Sequence, residues 1–145
     1  MSQSAQSFEN HAKMVPAYHG VAFGMLMVPI LWFAYRAVTD FSLDGLMLLS
    51  FFGGVLIVTL FARLFPLGVQ DRVIRLEERM RLQRLLPEDL QNRVGDITTD
   101  QLIGLRFAPD EELPDLARRV LDGSLSDRKS IKQAVKNWHA DNQRI

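Results

Sequence analysis

The fold is decided by the stretch "YHGVAFGMLMVPILWFAYRAV", residues 18–38, in which Arg36 is the only charged residue. At about 1.5 Å per residue this stretch makes roughly 31 Å of helix, enough to cross a hydrocarbon layer of about 30 Å. A second stretch, "LMLLSFFGGVLIVTLFA" at residues 46–62, has no charge and is also long enough to span. Because both stretches are apolar on every face, we expect them to lie in lipid.

The segment "TDFSLDG", residues 39–45, is short enough to make the two helices antiparallel neighbours, that is, a transmembrane helical hairpin. The first stretch is too long for the apolar core of a signal peptide and only Lys13 precedes it as a basic residue, so we expect it to be retained. The sequence therefore predicts an all-α protein in three parts. These are an N-terminal cytoplasmic segment (1–16), a two-helix transmembrane hairpin (17–65) and a small cytoplasmic helical domain (66–145).

Charge is concentrated in the C-terminal part of the chain. The sequence has 17 Lys or Arg and 17 Asp or Glu, and the two signs remain balanced from residue 66 onward. That balance gives little electrostatic support for nucleic-acid binding, which needs a basic surface. The charged residues that precede residue 66 are Glu9, Lys13, Arg36, Asp40, Asp44 and Arg63.

Basic residues cluster just after the second apolar stretch, whereas the turn between the stretches carries Asp40 and Asp44. Basic residues favour the cytoplasmic side of a membrane, so we expect the C-terminal part in the cytoplasm and the N-terminus returned to the same side. The same side chains could contact anionic lipid headgroups. They are Arg63, Arg72, Arg75, Arg79 and Arg81.

The hairpin contains small residues typical of close helix packing. Gly20 and Gly24 make a small-xxx-small pair, and Gly53 and Gly54 make a flat patch in the second helix. Pro29 cannot donate a backbone hydrogen bond, and it is expected at the same depth as Gly53. Close helix packing is the favoured interpretation of Pro29 opposite Gly53, because no ionisable residue lies near the midplane. A ligand or ion site is the alternative.

The arginine-rich segment after the hairpin is expected to form a helix of its own. Pro66 and Gly68 are expected to break or bend the chain, and Pro87 is expected to end the helix. An apolar arc at spacings of 4, 3 and 4 is predicted to pack on the rest of the cytoplasmic domain, with a short parallel dimer seam as the alternative. The arc consists of Val69, Val73, Leu76 and Met80.

Three further helices are predicted over residues 98–108, 109–123 and 126–141. Thr98 and Gln101 have capping-box spacing, and Ser126 or Asp127 caps the last helix. Trp138 is predicted on the apolar face of that helix together with Ile131 and Val135. It is therefore either a core side chain or a docking aromatic. The other side chains expected in the core are Leu102, Leu105, Phe107, Leu113, Leu116, Val120, Leu121, Ile131 and Val135.

Residues that could carry chemistry are sparse. There is no cysteine, and His11, His19 and His139 stand apart without metal-ligand spacing. No phosphate-binding loop or nucleophile motif occurs, so we expect no enzyme, no cofactor and no metal. An enzyme would need a polar cluster that only the fold assembles, for example Arg106 and Asp110 with His139.

The segments "YHGVAFG", "VQDRVIRLEERMRLQRLLP", "QLIGLRFAPDEELPDLARRVL" and "IKQAVKNWHAD" together resemble a family of small bacterial membrane proteins of unknown function. The resemblance covers nearly the whole chain. It implies a bacterial inner-membrane protein with two spans and a cytoplasmic tail, and it implies no activity.

Two functions of different classes remain open. The first is an interaction protein or accessory subunit, in which the lipid-anchored hairpin carries a helical tail that docks on a protein partner. The second is a small transporter, channel or lipid-handling element that oligomerises through Gly20, Gly24 and Gly53.

Overall fold

The computed structural model describes Phe8 and residues 15–140, and within these residues every regular element is a helix. The predicted N-terminal segment, including Lys13 and His11, lies almost wholly outside the described residues. The chain divides into two compact units. Among the described residues, one unit covers residues 15–66 and the other covers residues 67–140.

The first apolar stretch forms a π-helix, Ala17–Ala22, that passes directly into helix α1, Phe23–Thr39. The π-helical turn is not predictable from apolar periodicity. Pro29 lies inside α1 without interrupting it. The helix ends at Asp40, whose backbone is no longer helical and whose carboxylate pairs with Arg36 one turn earlier.

Helix α2 runs from Leu43 to Leu85 and contains the second apolar stretch. Pro66 and Gly68 were predicted to break or bend the chain. They do not break it, because the helix continues through both residues. A proline removes one backbone donor, but it need not end a helix whose neighbouring turns remain bonded. Ser50 and Thr59 donate their hydroxyl protons to the carbonyls of residues 46 and 55, so both side chains are satisfied within α2.

The two helices of the first unit contact each other through side chains. The Tyr18 hydroxyl donates a hydrogen bond to the carbonyl of Thr59, and the rings of Phe33 and Phe52 stack with centroids 6.2 Å apart. Two helical segments, Ala17–Thr39 and Leu43–Leu85, are long and apolar enough to cross a membrane by length and composition. The predicted hairpin therefore has the helices that it requires.

Four short α-helices follow α2: α3 (Glu88–Gln91), α4 (Thr99–Leu105), α5 (Leu113–Leu121) and α6 (Arg128–Ala134), with a 3-10 turn at Val94–Asp96. The predicted capping box between Thr98 and Gln101 is confirmed, and Asp127 caps α6 through the backbone N–H groups of Lys129 and Ser130. These caps satisfy donors that the first turn of a helix leaves unpaired.

Helix α5 begins four residues later than predicted. Pro109 does not open the helix; its carbonyl accepts hydrogen bonds from the N–H groups of Glu112 and Leu113 in a turn that precedes it. The helix closes as predicted near Gly123, which has a positive φ of 81°. A residue without a Cβ adopts this left-handed conformation at little cost, so Gly123 ends α5 and redirects the chain.

The core of the second unit forms between α2 and the four short helices. Gly104 of α4 allows α6 to approach closely, because a methyl group at Gly104 would lie 2.9 Å from Cγ2 of Ile131. The predicted core positions are confirmed except Leu121, which is only partly buried. The core side chains with the least exposure are Leu82, Ile97, Leu102, Leu105, Phe107, Leu113 and Ile131.

Candidate functional site

The prediction that the apolar arc of α2 packs on the rest of its own unit is wrong. Each of its four residues exposes between 48 and 62 % of its surface. The buried residues of α2 are Ile74, Glu78 and Leu82 instead. We call the exposed set the outward row; it consists of Val69, Val73, Leu76 and Met80.

The outward row lies on the side of α2 opposite the buried residues. Val73 and Leu82 are nine residues apart, as are Val69 and Glu78, and nine residues make two and a half turns at 3.6 residues per turn. The helix therefore has two apolar faces, and only one of them is covered. A contiguous apolar surface of this kind commonly marks an interaction site.

The predicted membrane-flanking arginines differ in their surroundings. Arg72 and Arg75 are exposed, while Arg63 and Arg79 are partly buried. The side chain of Arg81 is only 17 % exposed and belongs to the interior of the second unit. Its Nε donates to Asp110 Oδ1 at 2.7 Å and its Nη2 donates to the Ala108 carbonyl at 2.7 Å. Arg81 thus fastens α2 to the turn before α5.

A polar cavity of about 480 Å³ lies beside Arg81. The three residues named from the sequence as a cluster that only the fold could assemble, Arg106, Asp110 and His139, all line it. The backbone N–H of His139 donates to the Phe107 carbonyl at 2.8 Å, which holds the chain after α6 against this cavity. The remaining lining residues are Glu78, Pro109 and Glu111.

Glu78 is the lining residue that the sequence reasoning missed. It lies four residues after Ile74 and four before Leu82, so the signal was an acid within the second apolar face of α2. Burial raises the pKa of Glu78, although the Arg81 guanidinium 3.3 Å from its Oε2 acts in the opposite direction. A buried carboxyl loses its water shell, which disfavours the charged form.

The cavity brings acids and bases together, as proton transfer requires, but its charges also neutralise one another. Arg81 pairs with both Glu78 and Asp110, and the buried Arg106 lies with its guanidinium carbon 4.5 Å from the centroid of the Phe107 ring. Among the described residues that line the cavity, none is Ser, Thr, Cys or Lys. The contacts of Arg81 with Asp110 and the Ala108 carbonyl join α2 to the segment between α4 and α5.

Trp138 does not lie on a helix, because α6 ends at Ala134. Its ring packs against Phe107 with centroids 4.6 Å apart, and it borders the core as a partly buried side chain. The carboxylate of Glu112 holds the same segment, since it accepts hydrogen bonds from the backbone N–H groups of Lys136 and Asn137 at 3.0 Å each. These bonds lower the pKa of Glu112, the one from Lys136 most strongly.

The glycines of the hairpin do not make the predicted close contact within this chain. A methyl group added at Gly20, Gly24, Gly53 or Gly54 would meet no atom within 4 Å outside the neighbouring backbone. The surfaces around these four residues are therefore open. Pro29 adds no break in α1, as described above.

Potential metal ligands do not cluster in the part of the chain that the structure describes. His19 lies near the start of the π-helix, where its Nδ1 is 3.0 Å from the Val15 carbonyl. His139 lines the polar cavity, and His11 lies outside the described residues.

One protein-family model covers the whole chain. A model described as a family of unknown function, DUF6526, matches residues 1–145. No curated protein and no solved structure matches the chain.

Proposed function

The chain belongs to DUF6526, a family of unknown function whose model matches all of it, and we propose that this member is a membrane-anchored interaction protein with no catalytic activity. The hairpin formed by α1 and α2 is the anchor. The unit that begins at Leu67 carries the surface that binds a protein.

Support for the anchor comes from the length and composition of its helices. Both candidate spans have high mean hydropathy, and none of the residues in their apolar windows is buried inside the protein. A helix that is apolar all round and uncovered needs a non-aqueous surrounding or a partner. A lipid bilayer supplies that surrounding for both helices.

The arginines after the second span favour an orientation with both termini in the cytoplasm, and the resemblance noted from the sequence adds that the membrane is the bacterial inner membrane. Arg72 and Arg75 are exposed on α2, whereas the turn between the spans carries Asp40 and Asp44. Exposed basic residues next to a span favour the cytoplasmic side. The helical unit then meets cytoplasmic proteins or the cytoplasmic parts of membrane proteins.

The outward row is the observation that carries the interaction function. It exposes four apolar side chains on a helix whose opposite face is already buried. The polar cavity gives weaker support for a binding function, because the charges of Arg81, Glu78 and Asp110 pair with one another. A protein that binds the outward row removes its apolar surface from water, at about 25 cal/mol per Å² buried.

The proposal is tested by isolating the intact protein from its native membrane in polymer-bounded nanodiscs. Co-purifying chains are identified by mass spectrometry, and the assembly is sized. The wild type is expected in an assembly larger than one 16.5 kDa chain, and Leu76→Glu is expected to reduce it. Arg75→Glu changes a neighbouring exposed residue outside the row and should leave the assembly intact. A wild-type protein that is monomeric, with no co-purifying chain, would overturn the proposal.

A second candidate function is a small oligomeric transporter, channel or lipid-handling element built from the hairpin. The open surfaces at Gly20, Gly24 and Gly53 favour it, because helices of neighbouring copies can approach closely at residues without side chains. Gly24→Leu and Gly53→Leu should then disrupt the oligomer and abolish flux in liposomes. An unchanged assembly in both variants would exclude this candidate.

A further inference from the structure

The spacing of the outward row is that of a coiled-coil seam. Separations of 4, 3 and 4 place Val73 and Met80 at heptad position a, and Val69 and Leu76 at position d. The row is exposed along two heptads, since each of its side chains leaves about half of its surface or more open to solvent. A matching partner therefore needs a helix with the same apolar repeat.

We propose that this partner is a second copy of the chain and that the two α2 helices pack parallel and in register along the outward row. The proposal deepens the proposed function, on which it rests, by naming the protein that binds the row. An identical helix supplies the same repeat, so each a residue faces its own equivalent and each d residue does the same. β-branched Val73 at an a position and Leu76 at a d position suit a two-stranded parallel seam.

The charges beside the row distinguish the two possible directions. In a parallel pair Arg72, at position g, faces Glu77 of the second copy at position e, so opposite charges meet on both sides of the seam. Arg79 faces Arg84 of the second copy, but Arg84 lies 3.8 Å from the carboxylate of Asp110, which offsets part of that repulsion. The parallel arrangement thus has an attractive Arg72–Glu77 contact on each side of the seam, against the partly offset repulsion between Arg79 and Arg84.

An antiparallel pair that matches the same apolar residues brings no opposite charges together. Arg72 then faces Arg79 of the second copy, and Glu77 faces Gln70. Like charges at such positions repel one another by amounts similar to the gain from an opposite pair. The parallel arrangement is therefore the one that the charge pattern favours.

The seam is short, since free coiled coils generally need three or four heptads. Two features compensate for its length. The buried face that contains Ile74 and Leu82 already holds α2 helical, so association orders no new backbone. Anchoring of both copies in one bilayer, which the proposed function supplies, raises their effective concentration.

The arrangement is tested by cysteine crosslinking in native membranes, which is straightforward because the chain has no cysteine. Under mild oxidation, Val73→Cys and Met80→Cys should each form a disulfide-linked dimer of the full chain. Arg75→Cys is the matched control on another side of the same helix and should form much less. Residues 73 and 80 are about 10.5 Å apart along α2, so an antiparallel pair could link at most one of them.

Three results would overturn the proposal: no dimer from either position, a dimer from only one, or equal yields from the Arg75→Cys control. Labelling Val73→Cys with a photoreactive maleimide separates this failure from failure of the proposed function. A photoproduct of twice the chain mass supports the seam. A photoproduct with a different protein overturns the seam while supporting the interaction function, and no photoproduct overturns both.

An association measurement gives an independent test. Leu76→Glu should weaken dimerisation by about tenfold or more. Energy transfer between labelled copies in vesicles measures dimerisation separately for the wild type and the variant. Its helix content should match that of the wild type, because Leu76 is exposed and takes no part in the core. Arg75→Glu should dimerise like the wild type, and an undiminished association of Leu76→Glu would overturn the seam.

Discussion

Gly104 of α4 lies so close to Ile131 of α6 that a methyl group on the glycine would stand 2.9 Å from Ile131 Cγ2. Such a distance is shorter than packed carbon atoms tolerate. The glycine is therefore what permits these two helices to cross, and the core of the second unit depends on that crossing.

Gly104→Ala is expected to lower the free energy of unfolding by about 1 to 3 kcal/mol, because Ile131 is fully buried and cannot move aside freely. Chemical denaturation of the detergent-solubilised protein, followed by circular dichroism, measures the change. Gly95→Ala is the control, since a methyl group there meets no atom within 4 Å. Equal effects of the two substitutions would contradict the close approach of α4 and α6.

Gly123→Ala is expected to destabilise the protein by about 1 to 2 kcal/mol, because φ at this position is 81° and a Cβ is unfavourable there. Asparagine tolerates the left-handed region better, so Gly123→Asn should lose less. The thermal unfolding midpoints of both variants are compared with that of the wild type. If the alanine and asparagine variants were equally stable, backbone conformation would not be the reason for this glycine.

Glu112→Gln is expected to flatten the dependence of stability on pH in the acid range. The pKa of Glu112 is lowered in the folded protein by the N–H groups of Lys136 and Asn137. Its stabilising contribution is therefore present above the ordinary carboxyl pKa and is lost as pH falls through the lowered value. Unfolding midpoints measured between pH 3 and 6 test this.

The neighbouring Glu111→Gln serves as the control for Glu112, because Glu111 lies outside this set of hydrogen bonds. Its acid-range profile should follow that of the wild type. Parallel profiles for Glu112→Gln and the wild type would show that the carboxylate charge does not hold the segment after α6.

Glu78→Gln is expected to keep or raise the free energy of unfolding at pH 7. Burial raises the pKa of Glu78 in the folded state, so the fold prefers the protonated form. The resulting stabilisation is fully present below the ordinary carboxyl pKa and is lost as pH rises through the raised value. A neutral amide avoids burying the charge and can still accept from Arg81. Denaturation at pH 5 and pH 7 measures the effect, with Glu88→Gln, which changes an exposed acid outside the cavity, as control. A loss above about 1 kcal/mol at pH 7 would show that the ion pair with Arg81 outweighs burial.

Local signals in the sequence predicted local structure correctly. The capping box of Thr98 and Gln101 and the end of α5 at Gly123 each depend on residues within one turn of each other. The predictions for the start of α5 and the end of α6 were wrong. Near both boundaries lies a contact between distant segments that no local pattern contains, since Glu112 accepts hydrogen bonds from the backbone N–H groups of Lys136 and Asn137.

Periodicity predicted the apolar arc of α2 but assigned it to the wrong partner. A repeat shows that one side of a helix is apolar and says nothing about which surface covers it. The competing face contains Ile74 and Leu82, and Glu78 between them conceals it from a simple count of apolar residues. The contact of Arg81 with Asp110 spans 29 positions of the chain and was likewise beyond any local pattern.

With the proposed seam, the two faces of α2 give one short segment two properties, folding and association, that mutation can separate. Substitutions scanned along residues 69–82 should give two waves of sensitivity, one in folding and one in assembly. Both waves repeat with the helical period, and they differ in phase by half a turn, as Val73 and Leu82 do. Selection could therefore alter the strength of association without touching the core, and a tolerant position for one property would be a sensitive position for the other.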